Sequence, residues 1–212
     1  MSAGLLFLEP VMTVKAVLWD LGNVLIDWQP AHLYRQHFDD EEELRHFLDN
    51  VCNMDWHVHH DRGVPMAENR IALIEKFPHY ENQIRMWETG LADMVTGTLP
   101  GTPEAIEALR ARDVPQYALT NMPAEWIDWV VESFPSMAHM RDIVVSAHEG
   151  VVKPDPKIYD ITANRLPHDP SEVLFFDDRI KNVHAARAHG FQAEQFVDGV
   201  KLHADLQAHG LL

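Results

Sequence analysis

Side chains that could take part in catalysis stand at or shortly after the ends of four apolar runs of this sequence. They are Asp20, Thr120 with Asn121, Lys153, and Asp177 with Asp178. A carboxylate can act as a nucleophile, and further carboxylates, a hydroxyl and an ammonium group can hold charged oxygens or a metal ion. Each of these residues alone is usually a turn, cap or solvated residue. Their recurrence after several strands predicts one shared site.

A parallel sheet is needed to bring these side chains together. Apolar runs predict strands at residues 14–19, 114–120, 142–146, 173–176 and 191–197, and several are too apolar to leave one face in water. Between them, Thr102 before Pro103 and Asp155 before Pro156 are expected to cap helices, and Gly190 to close another. The alternation predicts an α/β fold with a doubly wound, Rossmann-like parallel sheet, whose carboxyl ends meet at one edge.

One interval interrupts the alternation. Residues 28–96 contain three helical patterns and no convincing strand, which predicts an inserted helical cap. We therefore assign residues 12–27 and 97–212 to the α/β core and residues 28–96 to the cap, and expect residues 1–11 to be a loosely packed extension or an overlong start. The cap would lie over the carboxyl ends of the strands, where ligands bind in open α/β sheets.

The run HVHH at residues 57–60 of the cap has the composition of a metal site. Its alternating and adjacent histidines do not have the helical spacing of a pair of zinc ligands. We therefore expect a solvated loop of the cap at this position.

The composition excludes several classes of partner. The 212 residues carry 33 acidic against 17 basic side chains, a formal net charge of −16, which repels phosphate backbones and anionic lipid surfaces. We expect no nucleic-acid partner and no membrane partner, and no feature points to a particular oligomeric state. The single cysteine, Cys52, permits no internal disulfide, and the apolar stretch near the start lacks a basic region before it. A cytoplasmic location is therefore expected.

The motifs together resemble those of the haloacid dehalogenase-like hydrolase superfamily, from about residue 14 to residue 197. WDLGNVL is similar to its first motif, LTN to its second, the lysine of VVKPDP to its third and FFDDRIKN to its fourth. The spelling of DLGNV with FFDD is close to that of the sugar phosphate phosphatase-like members. The resemblance implies that Asp20 is a nucleophile that forms an aspartyl intermediate, that Thr120 and Lys153 hold the transferred group, and that Asp178 helps to hold Mg²⁺.

Elementary chemistry is consistent with these roles. A carboxylate attacks a phosphoryl group only if the charge on the phosphate oxygens is neutralised, which Mg²⁺ and a lysine can do. Asp20, Asp178 and the Gly22 carbonyl supply hard oxygen ligands for Mg²⁺. Four further side chains are assigned to the site, two that orient the metal ligands and two that contact the substrate: Asp177 and Asn182, and Asn121 and Asn23.

Gly22 departs from the pattern of most phosphatases of the superfamily, which carry a general acid and base at this position. Haloacid dehalogenases also lack that acid, because a halide leaves without a proton. A metal-independent 2-haloacid dehalogenase with Asp20 as nucleophile is therefore the second hypothesis, and a catalytically weak binding protein is the third. Asp177 and Asp178 favour the phosphatase, since extra carboxylates suit a phosphate with Mg²⁺ and not a departing anion.

The first hypothesis is accordingly a magnesium-dependent phosphatase. Its partner would be a small-molecule phosphate ester such as a sugar phosphate, and its cofactor Mg²⁺. Proton transfer to the leaving group would fall to Asp27, to a cap residue or to water.

Overall fold

The computed structural model describes residues 13–212, so the expectation for residues 1–11 lies outside the described chain. Within that range the strands are β1 (Ala16–Trp19), β2 (Ile26–Trp28), β3 (Val95–Thr98), β4 (Gln116–Thr120), β5 (Met140–Val145), β6 (Val173–Asp177) and β7 (Gln192–Gln195). Five of them form the central sheet, in the order β5-β4-β1-β6-β7. Every neighbouring pair in this sheet is parallel, which confirms the predicted sheet.

Helices separate the strands. Between β2 and β3 lie α1 (Pro30–Tyr34), α2 (Glu41–His46), α3 (Met54–Asp61), α4 (Met66–Lys76), α5 (Glu81–Thr89) and α6 (Leu91–Met94). After β3 follow α7 (Thr102–Arg110), α8 (Ile127–Ser133), α9 (Ser146–Glu149), α10 (Pro156–Arg165), α11 (Ile180–Ala188) and α12 (Gly199–Ala208). A π-helical turn, Phe47–Val51, continues α2, and short 3₁₀ turns span Pro78–Tyr80, Pro135–His139 and Pro170–Glu172.

The central strand β1 is buried on both faces, as its uniformly apolar sequence AVLW requires. Val17 and Trp19 belong to the hydrophobic cluster on one face of the sheet. Ala16 and Leu18 belong to the cluster on the other face. Helices cover both clusters, with α7, α8 and α12 contributing to the first and α10 and α11 to the second. This layering is that of a doubly wound α/β fold.

The register of the sheet places the predicted site residues side by side. Trp19 is paired with Phe176, and the Asp20 backbone N–H donates to the Phe176 carbonyl at 2.9 Å. Asp20 therefore lies next to Asp177, the last residue of β6. On the other side of β1, Trp19 is paired with Ala118, so β4 ends at the same edge.

The helical insertion is bounded by two strands. β2 and β3 pair in antiparallel fashion, with Ile26 opposite Thr98 and Trp28 opposite Val95, and form a two-stranded ribbon at the base of the insertion. No strand was expected within residues 28–96, and the end of β2 at Trp28 and the start of β3 at Val95 correct this. The sequence of β3, VTGT, is not apolar, and the strand exists because β2 offers it a pairing edge.

The expected helix caps are confirmed at two of three positions. Asp155 accepts a hydrogen bond from the Lys157 N–H at 2.9 Å, and Gly190 has the left-handed φ of +87° that a helix end requires. The prediction for Thr102 was wrong. Its hydroxyl donates to the Val24 carbonyl at 2.8 Å, while Gly101 precedes the helix.

In the described part of the chain, residues 13–212, no helix is both long and apolar enough to cross a membrane.

Candidate active site

The ends of the central strands and the helical insertion enclose one cavity, the active-site cavity. Its lining includes seven of the residues predicted from the sequence: Asp20, Gly22, Asn23, Asn121, Lys153, Asp178 and Asn182. Its other lining residues are Trp28, Met54, His57, Asp61, Arg179 and Lys181. The motifs that are far apart in sequence therefore meet at one place.

Lys153 is the central cation of this site. Its side chain is only 1% exposed, and its Nζ lies 2.8 Å from Asp20 Oδ2 and 2.7 Å from Asp177 Oδ2. Nζ also donates to the Leu119 carbonyl at 3.0 Å, which uses the third ammonium hydrogen. Although burial alone would lower the pKa of Lys153, the two carboxylates raise it above its usual value. Lys153 is therefore charged and held in a fixed position.

Asp177 is fully buried and fully engaged. Besides Lys153, its carboxylate accepts hydrogen bonds from the Asn182 amide at 2.9 and 3.0 Å and from the Arg179 backbone N–H at 2.8 Å. Burial would raise the pKa of Asp177, but Lys153 and these donors hold it below its usual value. Asp177 is thus an ionised side chain that fixes Lys153 and Asn182.

Asp20 and Asp178 have a different environment. Burial raises the pKa of Asp20 well above its usual value, and Asp177 and Asp178 add to this, while Lys153 opposes it. Burial and Asp177 likewise raise the pKa of Asp178. A single ammonium group therefore does not balance the negative charge of this cluster.

The donor set suits a hard divalent cation. Asp20, Asp177 and Asp178 each offer a carboxylate oxygen, and these oxygens lie within 4.8 Å of one another. Carboxylate oxygens with room for water are the ligands that Mg²⁺ takes in proteins. The uncompensated charge of Asp20 and Asp178 fits such an ion, while Asp177 is already bonded to Lys153 and Asn182.

The two predicted residues at the end of β4, Thr120 in the strand and Asn121 directly after it, have different positions. Asn121 forms two reciprocal hydrogen bonds with the Lys153 backbone, accepting from its N–H at 2.8 Å and donating to its carbonyl at 3.0 Å. Thr120 is buried and lines a neighbouring small cavity, together with Gly22 and Asn121. Asn23 has a left-handed backbone, with φ of +58°, and accepts from the Trp28 N–H at 3.3 Å.

The expectation of a solvated loop at residues 57–60 was wrong. These residues belong to α3, and His57 and His60 are buried. His57 packs against the indole rings of Trp28, Trp87 and Trp126. These three tryptophans come from distant parts of the sequence. The burial of His57 therefore could not be predicted from the run of histidines alone.

Several lining residues were missed by the analysis of the sequence: Trp28, His57, Asp61 and Arg179. For two of them the sequence contained an indication: His57 and Asp61 are four residues apart, so on a helix their side chains lie on the same face. Arg179 follows the acid pair directly.

Curated relatives of this chain include two phosphatases matched over most of its length. Sesquiterpene phosphatase astK of Aspergillus oryzae is 26% identical over 196 residues, which cover 89% of this chain and 92% of that protein. A phosphorylated carbohydrates phosphatase of Thermotoga maritima is 20% identical over 179 residues, which cover 84% of this chain and 83% of that protein.

Solved structures share the fold. The magnesium complex of the HAD family enzyme bt-2542 from Bacteroides thetaiotaomicron has a TM-score of 0.68 at 20% identity and covers 88% of this chain and 94% of that one. L-2-haloacid dehalogenase from Xanthobacter autotrophicus, with chloropropionic acid covalently bound, has a TM-score of 0.65 at 17% identity, covering 94% and 85%. The family model described as haloacid dehalogenase-like hydrolase matches residues 14–190. This protein therefore belongs to the haloacid dehalogenase-like hydrolase family and is a hydrolase.

Proposed function

We propose that this hydrolase is a magnesium-dependent phosphatase that cleaves a small phosphorylated metabolite through an aspartyl-phosphate intermediate. The observation that carries the proposal is the cluster of Asp20, Asp177 and Asp178 around one ammonium group. Its uncompensated negative charge suits a divalent cation and a phosphate dianion. The phosphatases among the relatives, one of which is named for phosphorylated carbohydrates, support a substrate of the sugar phosphate class.

Each residue of the cluster then has a role. Asp20 attacks the phosphorus atom, and Lys153, which holds the Asp20 carboxylate in place, supplies positive charge beside the transferred phosphoryl group. Asp20, Asp178 and the Gly22 carbonyl would hold Mg²⁺, which supplies positive charge for the phosphoryl oxygens when bound. Asp177, Asn182 and Asn121 keep Lys153 and the metal ligands in position. Thr120 and Asn23 complete the substrate side of the site.

Under this proposal the helical insertion acts as the cap. It contributes Met54, His57 and Asp61 to the lining of the active-site cavity, so it closes the site on the side from which the alcohol part of the substrate must enter. Substrate choice would therefore be determined by the insertion.

The charge of the site disfavours a 2-haloacid dehalogenase. Such an enzyme binds a carboxylate substrate and releases a halide anion, and both would be repelled by three clustered acids. No cation is needed for that reaction. A panel of phosphorylated metabolites and 2-haloacids, assayed with Mg²⁺ and with excess chelator, separates the two functions.

We expect turnover of phosphate esters with Mg²⁺ and its loss in chelator. Full activity in chelator, or turnover of haloacids alone, would favour the dehalogenase. The variant Asp20→Asn keeps the shape of the nucleophile without its reactivity, so it should fold and be inactive. Near-normal activity in folded Asp20→Asn would remove Asp20 from the mechanism, and a wild type inactive on all phosphate esters would favour a binding protein.

A further inference from the structure

The helix α3 of the insertion brings a fourth acid to the active-site cavity. Asp61, the last residue of α3, lines this cavity together with Asp20, Lys153 and Asp178. Asp61 is only 5% exposed. It comes from the insertion, whereas the carboxylate cluster stands on the strand ends of the core.

One oxygen of the Asp61 carboxyl group is buried without a hydrogen bond to any atom of the described chain. Within residues 13–212 its Oδ1 has no hydrogen-bond partner. His57 Nε2 lies 3.4 Å from this oxygen, a contact that does not form a hydrogen bond. A buried polar atom without a partner costs about 1–3 kcal/mol, and a catalytic role is one of the reasons for which native proteins keep such an atom.

His57 stands beside this carboxyl group as a neutral ring. The Trp87 indole N–H donates to His57 Nδ1 at 3.0 Å, so Nδ1 must be unprotonated and the proton of the neutral ring is on Nε2. Burial lowers the pKa of His57 to about 3, with smaller contributions from His60 and Arg179. His57 is therefore a neutral positioning residue, and it does not carry the proton that reacts.

The position of Asp61 is fixed by the core. The Ser146 hydroxyl donates to the Asp61 backbone carbonyl at 2.7 Å and accepts from the Met122 N–H at 3.0 Å. Ser146 therefore connects the end of α3 to the loop that follows β4. Two residues after Asp61, Gly63 packs so closely against the Ala147 carbonyl that a Cβ would lie 2.5 Å from its oxygen.

The surroundings of Asp61 keep it able to exchange a proton near neutral pH. Burial raises its pKa to about 7, and Arg179 and Lys153 from the core oppose this. These two cations and the neutral His57 are the charged or titratable groups that act on it from the core and from its own helix. An acid with a pKa near the working pH serves equally as donor and acceptor.

We propose that Asp61 is the catalytic residue that supplies and later removes the protons that no side chain at Gly22 can handle. The proposal rests on the phosphatase function. As Asp20 Oδ attacks phosphorus, the bond from phosphorus to the ester oxygen breaks and its electron pair stays on that oxygen, which takes the proton of the Asp61 carboxyl to leave as an alcohol. Water then attacks phosphorus while the Asp61 carboxylate takes its proton, and the electron pair of the breaking bond returns to Asp20.

Asp27, the other acid considered for this task, has a carboxylate that already has partners. Its Oδ2 accepts from the Thr96 hydroxyl and lies 3.4 Å from His32 Nε2. Asp27 lines a second pocket, which shares Asn23 and Asp178 with the active-site cavity but does not include Asp20 or Lys153. Asp61 is thus the better placed donor.

The test compares Asp61→Asn with the wild type on phosphate esters whose leaving groups differ in acidity. The full chain is assayed with saturating Mg²⁺ on 2,4-dinitrophenyl phosphate, phenyl phosphate and an alkyl phosphate. We expect kcat/KM for the alkyl ester to fall by about 10²-fold or more, as for the loss of a positioned acid. For the dinitrophenyl ester kcat/KM should stay close to that of the wild type, because this phenolate leaves without a proton.

A second readout separates chemistry from structure. Without Asp61 as base, hydrolysis of the phosphorylated Asp20 becomes slow, so Asp61→Asn should release about one equivalent of dinitrophenolate per enzyme in a burst before a slow steady state. Asp55→Asn is the matched control, because it removes an exposed carboxylate from the same helix. This control should follow the wild type on every ester.

Two results would overturn the role of Asp61. One is an equal loss of kcat/KM across all esters in folded Asp61→Asn, and the other is no loss on any of them. A wild type that hydrolyses none of the esters would instead reject the phosphatase function, and that result is obtained before any variant is made.

Discussion

Two aspartates of the active-site cavity show how partners decide the state of a buried acid. Asp177 faces Lys153 and accepts from Asn182 and the Arg179 N–H, which lowers its pKa. Asp61 lacks such donors, and burial raises its pKa to about 7. Acids whose environments push their pKa values apart are suited to different tasks. We accordingly assign Asp177 to positioning and Asp61 to proton transfer.

The raised pKa of Asp61 predicts a pH-dependent cost in stability. In the unfolded chain an aspartate has a pKa of about 3.9, so the folded state holds this proton more tightly. The resulting stability is complete below about pH 4 and is lost as the pH rises to about 7. The amide of the Asp61→Asn variant has no such proton to lose. We expect this variant to be more stable than the wild type at pH 8, by up to about 4 kcal/mol, and the difference to shrink toward pH 4.

Urea unfolding of both proteins in chelator at several pH values checks this prediction. Burial lowers the pKa of His57 to about 3 and of His60 to about 4, so these histidines cost stability as the pH falls. Their effect is present in both proteins and cancels in the difference. A difference that does not vary with pH would contradict the assigned state of Asp61.

Position 22 offers a way to restore the proton donor. No heavy atom of the described chain lies within 4 Å of a Cβ built on Gly22, so a side chain fits there. In the Asp61→Asn background, Gly22→Asp should raise kcat/KM for alkyl phosphates at least about tenfold, because positioned acid catalysis contributes about 10²- to 10⁴-fold. The matched control is Gly22→Ala in the same background, which adds the Cβ without an acid. Equal rates in the two double variants would show that residue 22 cannot reach the leaving group.

At the scale of elements, the contact between α3 and α9 determines where Asp61 lies. Gly63 has φ of +86°, and an added Cβ would lie 2.5 Å from the Ala147 carbonyl oxygen. Gly63→Ala should therefore move the end of α3 away from α9, cost about 1–3 kcal/mol of stability, and lower kcat/KM more for alkyl than for dinitrophenyl phosphate.

Gly150→Ala is the control for Gly63→Ala. Gly150 also has a left-handed backbone, with φ of +68°, but no described atom lies within 4 Å of its Cβ position. The Gly150→Ala variant should lose stability because alanine is strained at a left-handed φ, as in Gly63→Ala. Its dependence of kcat/KM on the leaving group should stay that of the wild type. Chemical denaturation and the ester series measure both quantities. The same change of leaving-group dependence in both variants would disprove the role of this contact.

Most of the core could be predicted from the sequence because its strands are continuous apolar runs. The strand β1 is buried on both faces and is bounded by Asp20, and parallel strands necessarily bring their carboxyl ends to one edge. Asp20, Lys153 and Asp178 could therefore be assigned to one site without knowledge of the helices. The start of α10 could likewise be predicted, because the capping residue Asp155 directly precedes Pro156 in the sequence.

The part of the site contributed by the insertion could not be predicted in this way. His57 is buried only because Trp28, Trp87 and Trp126 surround it, and these contacts depend on how the helices pack. The polar strand β3 depends on its pairing with β2, and Thr102 prefers the Val24 carbonyl to a capping role. Each of these features is determined by partners distant in sequence.

At the scale of the whole molecule, the formal net charge of −16 makes cation binding favourable for the folded state. A ligand that binds only the folded protein stabilises it by about 2.7 kcal/mol at one hundred times its dissociation constant. We expect Mg²⁺ to raise the unfolding temperature of the wild type and to have a much smaller effect on Asp178→Asn. Asp160→Asn, which removes an exposed acid of α10, is the control for the change in net charge. Equal shifts in all three proteins would indicate a general effect of salt.

The β2–β3 ribbon holds the two points where the chain leaves and re-enters the core side by side, with Ile26 opposite Thr98. An insertion whose two ends are neighbours can be exchanged for another without distorting the core. The pairing of β2 with β3 already holds these ends together, so an insertion of another length needs no change in the core. The core would keep Asp20, Lys153 and Asp178, while each exchanged insertion would bring its own proton donor and its own substrate contacts. Because of the ribbon, the insertion that selects the substrate could change while the core that carries out the phosphoryl chemistry stays the same.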